Sequence, residues 1–171
     1  MWTHPGKQRL NSWHIVTAIL VLFIATPAPA SEEVQAAVGR ALPLLQRGAE
    51  GHIAKRSCFA CHNQALPMLA LTTARSRGFA VRDEDVQKQL KFIAKFLDQN
   101  RDNYRQGKGT GGQVDTAGYA LFTLELGGWK PDATTAAMVE YLLQRDSKRD
   151  HWANVSDRPP SEASPFTATY L

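Results

Sequence analysis

The sequence predicts an all-α protein built from helical hairpins that repeat about every 50 residues. Three observations predict it. Apolar residues recur at helical spacing through almost all of residues 31–171, and no stretch reads as a strand. Two helices close on a Gly-plus-aromatic turn, Gly78-Phe79 and Gly128-Trp129, 50 residues apart. Ala70-Leu71 returns as Ala120-Leu121 at the same interval, Leu42 and Leu90 stand 48 apart, and Thr116-Ala117 returns as Thr167-Ala168 after 51.

Each element has its own signal. Val34, Val38, Ala41, Leu42 and Leu45 give a first amphipathic helix. A second runs from about Gln64 to Ser76 with Leu66, Leu69, Ala70 and Thr73 on its face, and stops at Gly78. Arg75 and Arg77 suit the negative end of its dipole. Asp83, Glu84 and Asp85 supply a cap and an acidic first turn for a third helix, which buries Val86, Leu90, Ile93, Ala94 and Leu97. The fourth covers about Thr116 to Leu126. Asp132, after Pro131, opens a fifth containing Ala136, Met138, Tyr141 and Leu142. Residues 165–171 read as the first turns of a sixth. Between them lie long loops, about Arg47 to Ala60, Asn100 to Asp115 and Lys148 to Ser164, a length that accompanies function or mobility. Gly107, Gly109, Gly111 and Gly112 lack the spacing of a phosphate-binding loop and read as a flexible turn.

Paired helices at this period, with Gly-Phe at 78–79, Gly-Trp at 128–129 and Thr-Ala-Gly-Tyr-Ala-Leu at 116–121, resemble the α/α-toroid repeats of squalene cyclases and protein prenyltransferases. The resemblance spans roughly Ser31 to Leu171. It implies a ring in which the second, fourth and sixth helices form an inner layer and the others an outer one. It also implies a cavity for a hydrophobic small molecule. The acid motif Asp-x-Asp-Asp of the cyclases does not occur in the chain, nor do the zinc ligands of the prenyltransferases. Because the sixth helix is only begun at Leu171, the expectation is an incomplete ring: a fragment of a longer protein, or a chain that completes its ring by dimerisation.

Residues 1–30 have the layout of a secretory signal peptide. Lys7 and Arg9 precede an apolar run from Ile15 to Ile24, and Ala28-Pro29-Ala30 is a small-residue cleavage site. The run is too short to span a bilayer as a helix, so the expected contact with membrane is only through an uncleaved signal. The mature chain then begins at Ser31 as one repeat domain, residues 31–171, in the periplasm or another exported location. Lys7 and Arg9 leave with the signal, so 18 of the 20 basic side chains face all 16 acidic ones. That balance, without a basic patch interleaved with aromatics, excludes nucleic acid as a partner.

The sharpest chemical signal is Cys58-Phe59-Ala60-Cys61-His62, the Cys-x-x-Cys-His motif of c-type haem attachment. Two thiols three positions apart can add to the two vinyl groups of haem, and the adjacent imidazole meets the iron. Attachment follows export and uses up both of the chain's cysteines, which would otherwise stand free in an oxidising compartment. The expected cofactor is covalent haem c on Cys58 and Cys61, with His62 as iron ligand. A redox-active dithiol or disulfide is one alternative, though such sites favour a strand–helix junction. Zinc is another, strained by ligands at adjacent positions 61 and 62 and short of a fourth.

For the second axial position the candidates are His52, in the same loop as the motif, and His151, in the third long loop; an open face is the remaining option. Met68 lies on the helix of His62, and Met138 reads as core. Around the motif, Lys55 and Arg56 suit haem propionates or plain solvent, Asn63 and Gln64 suit the haem edge or a helix cap, and Leu66 and Leu69 read as core. The expected role is electron transfer, with a redox partner protein. The alternative is an exported toroid enzyme or binding protein whose substrate the sequence does not name, with a disulfide or vestigial haem site; whether the chain is an enzyme stays open. No Ser-His-Asp set or HExxH motif occurs.

Overall fold

The computed structural model describes residues 31–145, 150–154 and 162–170. Residues 1–30, read as a signal peptide from the sequence, fall outside the described residues, as do parts of the third long loop and Leu171. The described chain is all-helical, with no strand among those residues.

Helix α1, Glu32–Lys55, takes in the first nine residues of the loop expected from Arg47, Arg47 to Lys55. Gly48 and Gly51 lower its helix propensity, which makes the segment read as loop. Tertiary contacts override them. Ala49 and His52 are buried, Gln46 Nε2 donates to Asp85 Oδ2 at 2.8 Å, and Lys88 pairs with Glu50 at 3.7 Å. Of the apolar face expected on α1, only Leu42 is buried, against Leu71 and Ala74.

Helix α2 opens with a π turn, Cys61–Ala65, and continues as α-helix over Leu66–Ser76. Its buried face is Ala65, Met68, Leu71 and Ala74, while the expected core residues Leu66 and Leu69 are each 38% exposed. Leu66 N–H bonds to the Cys61 carbonyl, five residues back, which closes the π turn.

Helix α3, Asp83–Gln99, buries Val86, Leu90, Ile93 and Leu97 as the periodicity predicts. Its acidic residues occupy the first turn, yet none caps it: the N-cap is Arg82, without a side-chain bond. Asp83 instead pairs with Arg75 at 2.7 Å, and Asp85 accepts from Gln46 and Arg82. A short helix α4, Arg101–Arg105, interrupts the second long loop and buries Tyr104. Helix α5, Gln113–Leu126, is the centre of the fold, touching α2, α3, α6 and α7. Along it, Ala117, Ala120 and Thr123 are fully covered.

Helix α6, Ala133–Arg145, packs on α5 and on α4. Asp132 caps it as expected: Oδ1 accepts from Thr134 N and Thr135 N, each at 2.9 Å, and Oδ2 from Trp129 Nε1 at 3.0 Å. Partial burial opposes its ionisation, but these bonds outweigh that and hold the carboxyl below its usual range. The cap's contribution is therefore present at neutral pH and fades as the pH falls through that lowered value. Helix α7, Pro165–Tyr170, rests on α5. Trp152, before it, donates its indole N–H to the Leu142 carbonyl at 3.0 Å.

Two helix ends are built alike. After α2, Phe79 N–H bonds to Ala74 O at 3.0 Å with Gly78 at φ +85°. After α5, Trp129 N–H bonds to Leu124 O at 2.9 Å with Gly128 at φ +73°. Each is a left-handed glycine terminator that lets the aromatic fold back.

Candidate functional site

The motif begins in the short link between α1 and α2. Ala60 is extended and stands at the N-cap of the π turn. Its N–H donates to the Gln64 side-chain oxygen at 3.0 Å, while Gln64 Nε2 donates to Gln89 Oε1 at 3.3 Å. Gln64 is fully buried. Of the two uses open to it, helix capping is the one the structure displays, and it ties the motif to α3. π turns concentrate at functional sites, and this one carries Cys61 and His62.

The two thiols differ. Cys58 is exposed, whereas Cys61 is buried and its Sγ donates to Glu162 Oε1 at 2.6 Å. Phe59 between them is anchored in the main core. Asp115 and Tyr119 on α5 are buried close by. Burial, followed by the nearby charges of Cys61, Asp115 and Glu162, pushes the Tyr119 phenol above its ordinary value, so it stays protonated. Glu162 lies 101 residues from Cys61, and no spacing in the sequence points to it.

Cys58, Cys61 and His62 all line one open cavity of about 770 Å³, within the roughly 300–1,000 Å³ range of small-molecule and cofactor sites. His52, Arg56 and Asn63 complete this side. Asn100 and Asn103 at α4, and Thr110 to Gly112 with Thr116 at the start of α5, form much of the remainder. Sequence reading missed that remainder because these polar residues belong to a loop with no motif. The donor set fits haem c: two thiols for the vinyl groups and an exposed imidazole for iron line the same cavity. Among the described residues no three His, Cys, Asp or Glu side chains converge as a set that could hold a bare metal ion.

The axial-ligand candidates separate. His52 sits on α1, not in a loop, with 8% of its surface exposed. Its Nε2 lies 2.7 Å from the Cys58 carbonyl, and Asn63 Nδ2 lies 3.3 Å from its Nδ1. A carbonyl only accepts, so Nε2 carries the proton and Nδ1 takes the bond from Asn63. His52 thus braces the motif loop with both ring nitrogens. His151 is exposed, bonds to Asp150 at 2.7 Å and does not line the cavity. Met68 and Met138 are fully buried. His52→Ala is expected to lower stability by roughly 1–3 kcal/mol, through two lost hydrogen bonds and the edge contact with Phe92. Urea unfolding checks it, and an unchanged midpoint would refute the bracing role.

No protein family, curated protein or solved structure matches the chain. No helix among the described residues is long and apolar enough to cross a membrane.

Proposed function

We propose that this chain is an exported c-type haem protein with a role in electron transfer. The observation that carries the reading is the meeting of Cys58, Cys61 and His62 on one open cavity of cofactor size. In this reading Cys58 and Cys61 anchor haem through thioethers and His62 is its protein ligand. Bound there, haem supplies a one-electron iron couple. Arg56, on the cavity rim, offers a cation for a propionate. His52 and Gln64 hold the motif loop, and the open mouth leaves a path for exchange with a redox partner protein.

The helices are read as an incomplete α/α-toroid related to squalene cyclases and prenyltransferases. The paired glycine terminators 50 residues apart and the inner position of α5 support that architecture.

The test is an absorbance spectrum, oxidised and then reduced, of protein exported by a cell with c-type haem maturation. Bands of a c-type haem are expected. Their absence would turn the assignment to an exported toroid enzyme or binding protein whose cysteines form a disulfide. The same material should have an intact mass that begins at Ser31. A mass that retains Trp2 and Trp13 would instead mean the leader stays as an anchor.

A further inference from the structure

We propose that the cavity wall formed by Asn100, Asn103, Thr110 and Thr116 is a small-ligand pocket beside haem, with an amide donor for a diatomic ligand. This rests on the covalent-haem reading and adds the class of molecule that the site would bind beside the haem.

The first support is an inventory of ligands. Residues 31–171 contain three histidines, His52, His62 and His151, and two methionines, Met68 and Met138. His62 is the proximal ligand in the haem reading. Both ring nitrogens of His52 are committed, to the Cys58 carbonyl and to Asn63. His151 lies off the cavity, and both methionines are enclosed in the core. Within residues 31–171, every imidazole or thioether other than His62 is thus engaged elsewhere or lies off the cavity. Haem proteins that leave the second axial position open bind exogenous ligands there, and the polarity and donors of the adjoining wall set how tightly.

The second support is the composition of that wall. Beside the half-buried Phe96, the side chains are amides and hydroxyls. Asn100 Nδ2 donates one bond, to the Phe96 carbonyl at 2.8 Å, and Asn103 Nδ2 donates one, to Asn100 Oδ1 at 3.3 Å. A carboxamide nitrogen carries two protons, so each retains one N–H for a ligand. The Thr110 hydroxyl is shared with Tyr104 at 3.0 Å, and Thr116 donates to the Gly111 carbonyl at 2.7 Å. The two amides are therefore the donors with capacity to spare. A pocket with neutral donors suits a ligand that accepts one hydrogen bond and carries little or no charge.

The experiment uses the full exported holoprotein, with haem-stained denaturing gels run in parallel. The expected spectrum is five-coordinate and high-spin, and carbon monoxide should shift the Soret band of the reduced protein to completion. Cyanide should bind the oxidised protein. Asn103→Leu, at an exposed position, should raise the C–O stretching frequency and speed cyanide dissociation roughly threefold to tenfold, the equivalent of one hydrogen bond. A stained band with a low-spin, six-coordinate spectrum indifferent to carbon monoxide would overturn the pocket and leave the haem assignment standing. An unchanged stretch and cyanide rate in Asn103→Leu would overturn the role of the amide wall. A gel without a stained band would overturn the haem reading, and the pocket with it.

Discussion

Replacing Cys58 and Cys61 together is expected to abolish covalent haem, with no stained band at the protein's mass on a denaturing gel. Serine is the better replacement. Before haem attachment the buried Cys61 thiol donates to Glu162 at 2.6 Å, and alanine would remove that donor from a buried carboxylate at a cost of about 1–3 kcal/mol. A serine hydroxyl keeps a donor there, and the helical circular dichroism of the double variant should match the parent. Single changes should differ. Cys58→Ser removes an exposed thiol and should leave attachment through Cys61 with normal folding. Cys61→Ser should retain one thioether at Cys58 and, through its hydroxyl, keep a donor to Glu162. His62→Ala should keep the stain but alter the visible spectrum, because the thioethers do not need the imidazole while the iron does. Staining that survives the double change would end the haem assignment.

How far the sequence reached depends on whether a feature is local. The face of α3, the glycine terminators after α2 and α5, and the Asp132 cap are set by residues within a few positions, and each stands in the structure where the pattern puts it. The extent of α1 depends instead on Gln46, Glu50 and His52 meeting α3 and the motif loop, which no local pattern displays. The buried face of α2 is set by what packs on it, Leu42 of α1 and helix α5, because Leu66 and Leu69 offer the same helical spacing as the buried Ala65 and Met68. In the site, the cysteines and His62 declare themselves through spacing. Gln64, Glu162 and the wall at Asn100 and Asn103 do not, since their roles arise only from packing across 25 to 101 residues of chain or from a loop without a motif.

The same distinction applies to the glycines of the second long loop, which read as a flexible turn. Gly109 holds φ +67°, and a Cβ placed on it would lie 2.5 Å from the Tyr141 hydroxyl and 2.7 Å from the ring carbon that bears it. Tyr141 cannot give way easily. It is fully buried, and its ring meets Tyr104 edge-on at 5.4 Å. The loop is pinned too, with Lys108 N and Gly109 N both bonded to the Asn103 carbonyl. Gly109→Ala is therefore expected to incur two costs, about 1–2 kcal/mol for a left-handed non-glycine residue and about 1–3 kcal/mol for overpacking. Against a total stability of roughly 5–15 kcal/mol, that loss should lower the melting temperature by on the order of 10 °C. Tyr141→Phe supplies the control. Among the described residues its hydroxyl makes no well-formed hydrogen bond, with the Arg145 side chain a polar neighbour, so the single change should stay within about 1 kcal/mol of the parent. In the double variant the nearest clashing atom is gone, and part of the overpacking should be recovered while the left-handed strain persists. The loop leads directly into Thr110, Gly111 and Gly112 of the cavity wall, so Gly109→Ala should also slow carbon monoxide binding, and Tyr141→Phe should restore it in part. A melting temperature within 2 °C or so of the parent for Gly109→Ala would show that the turn absorbs the side chain and that Tyr141 does not fix its shape.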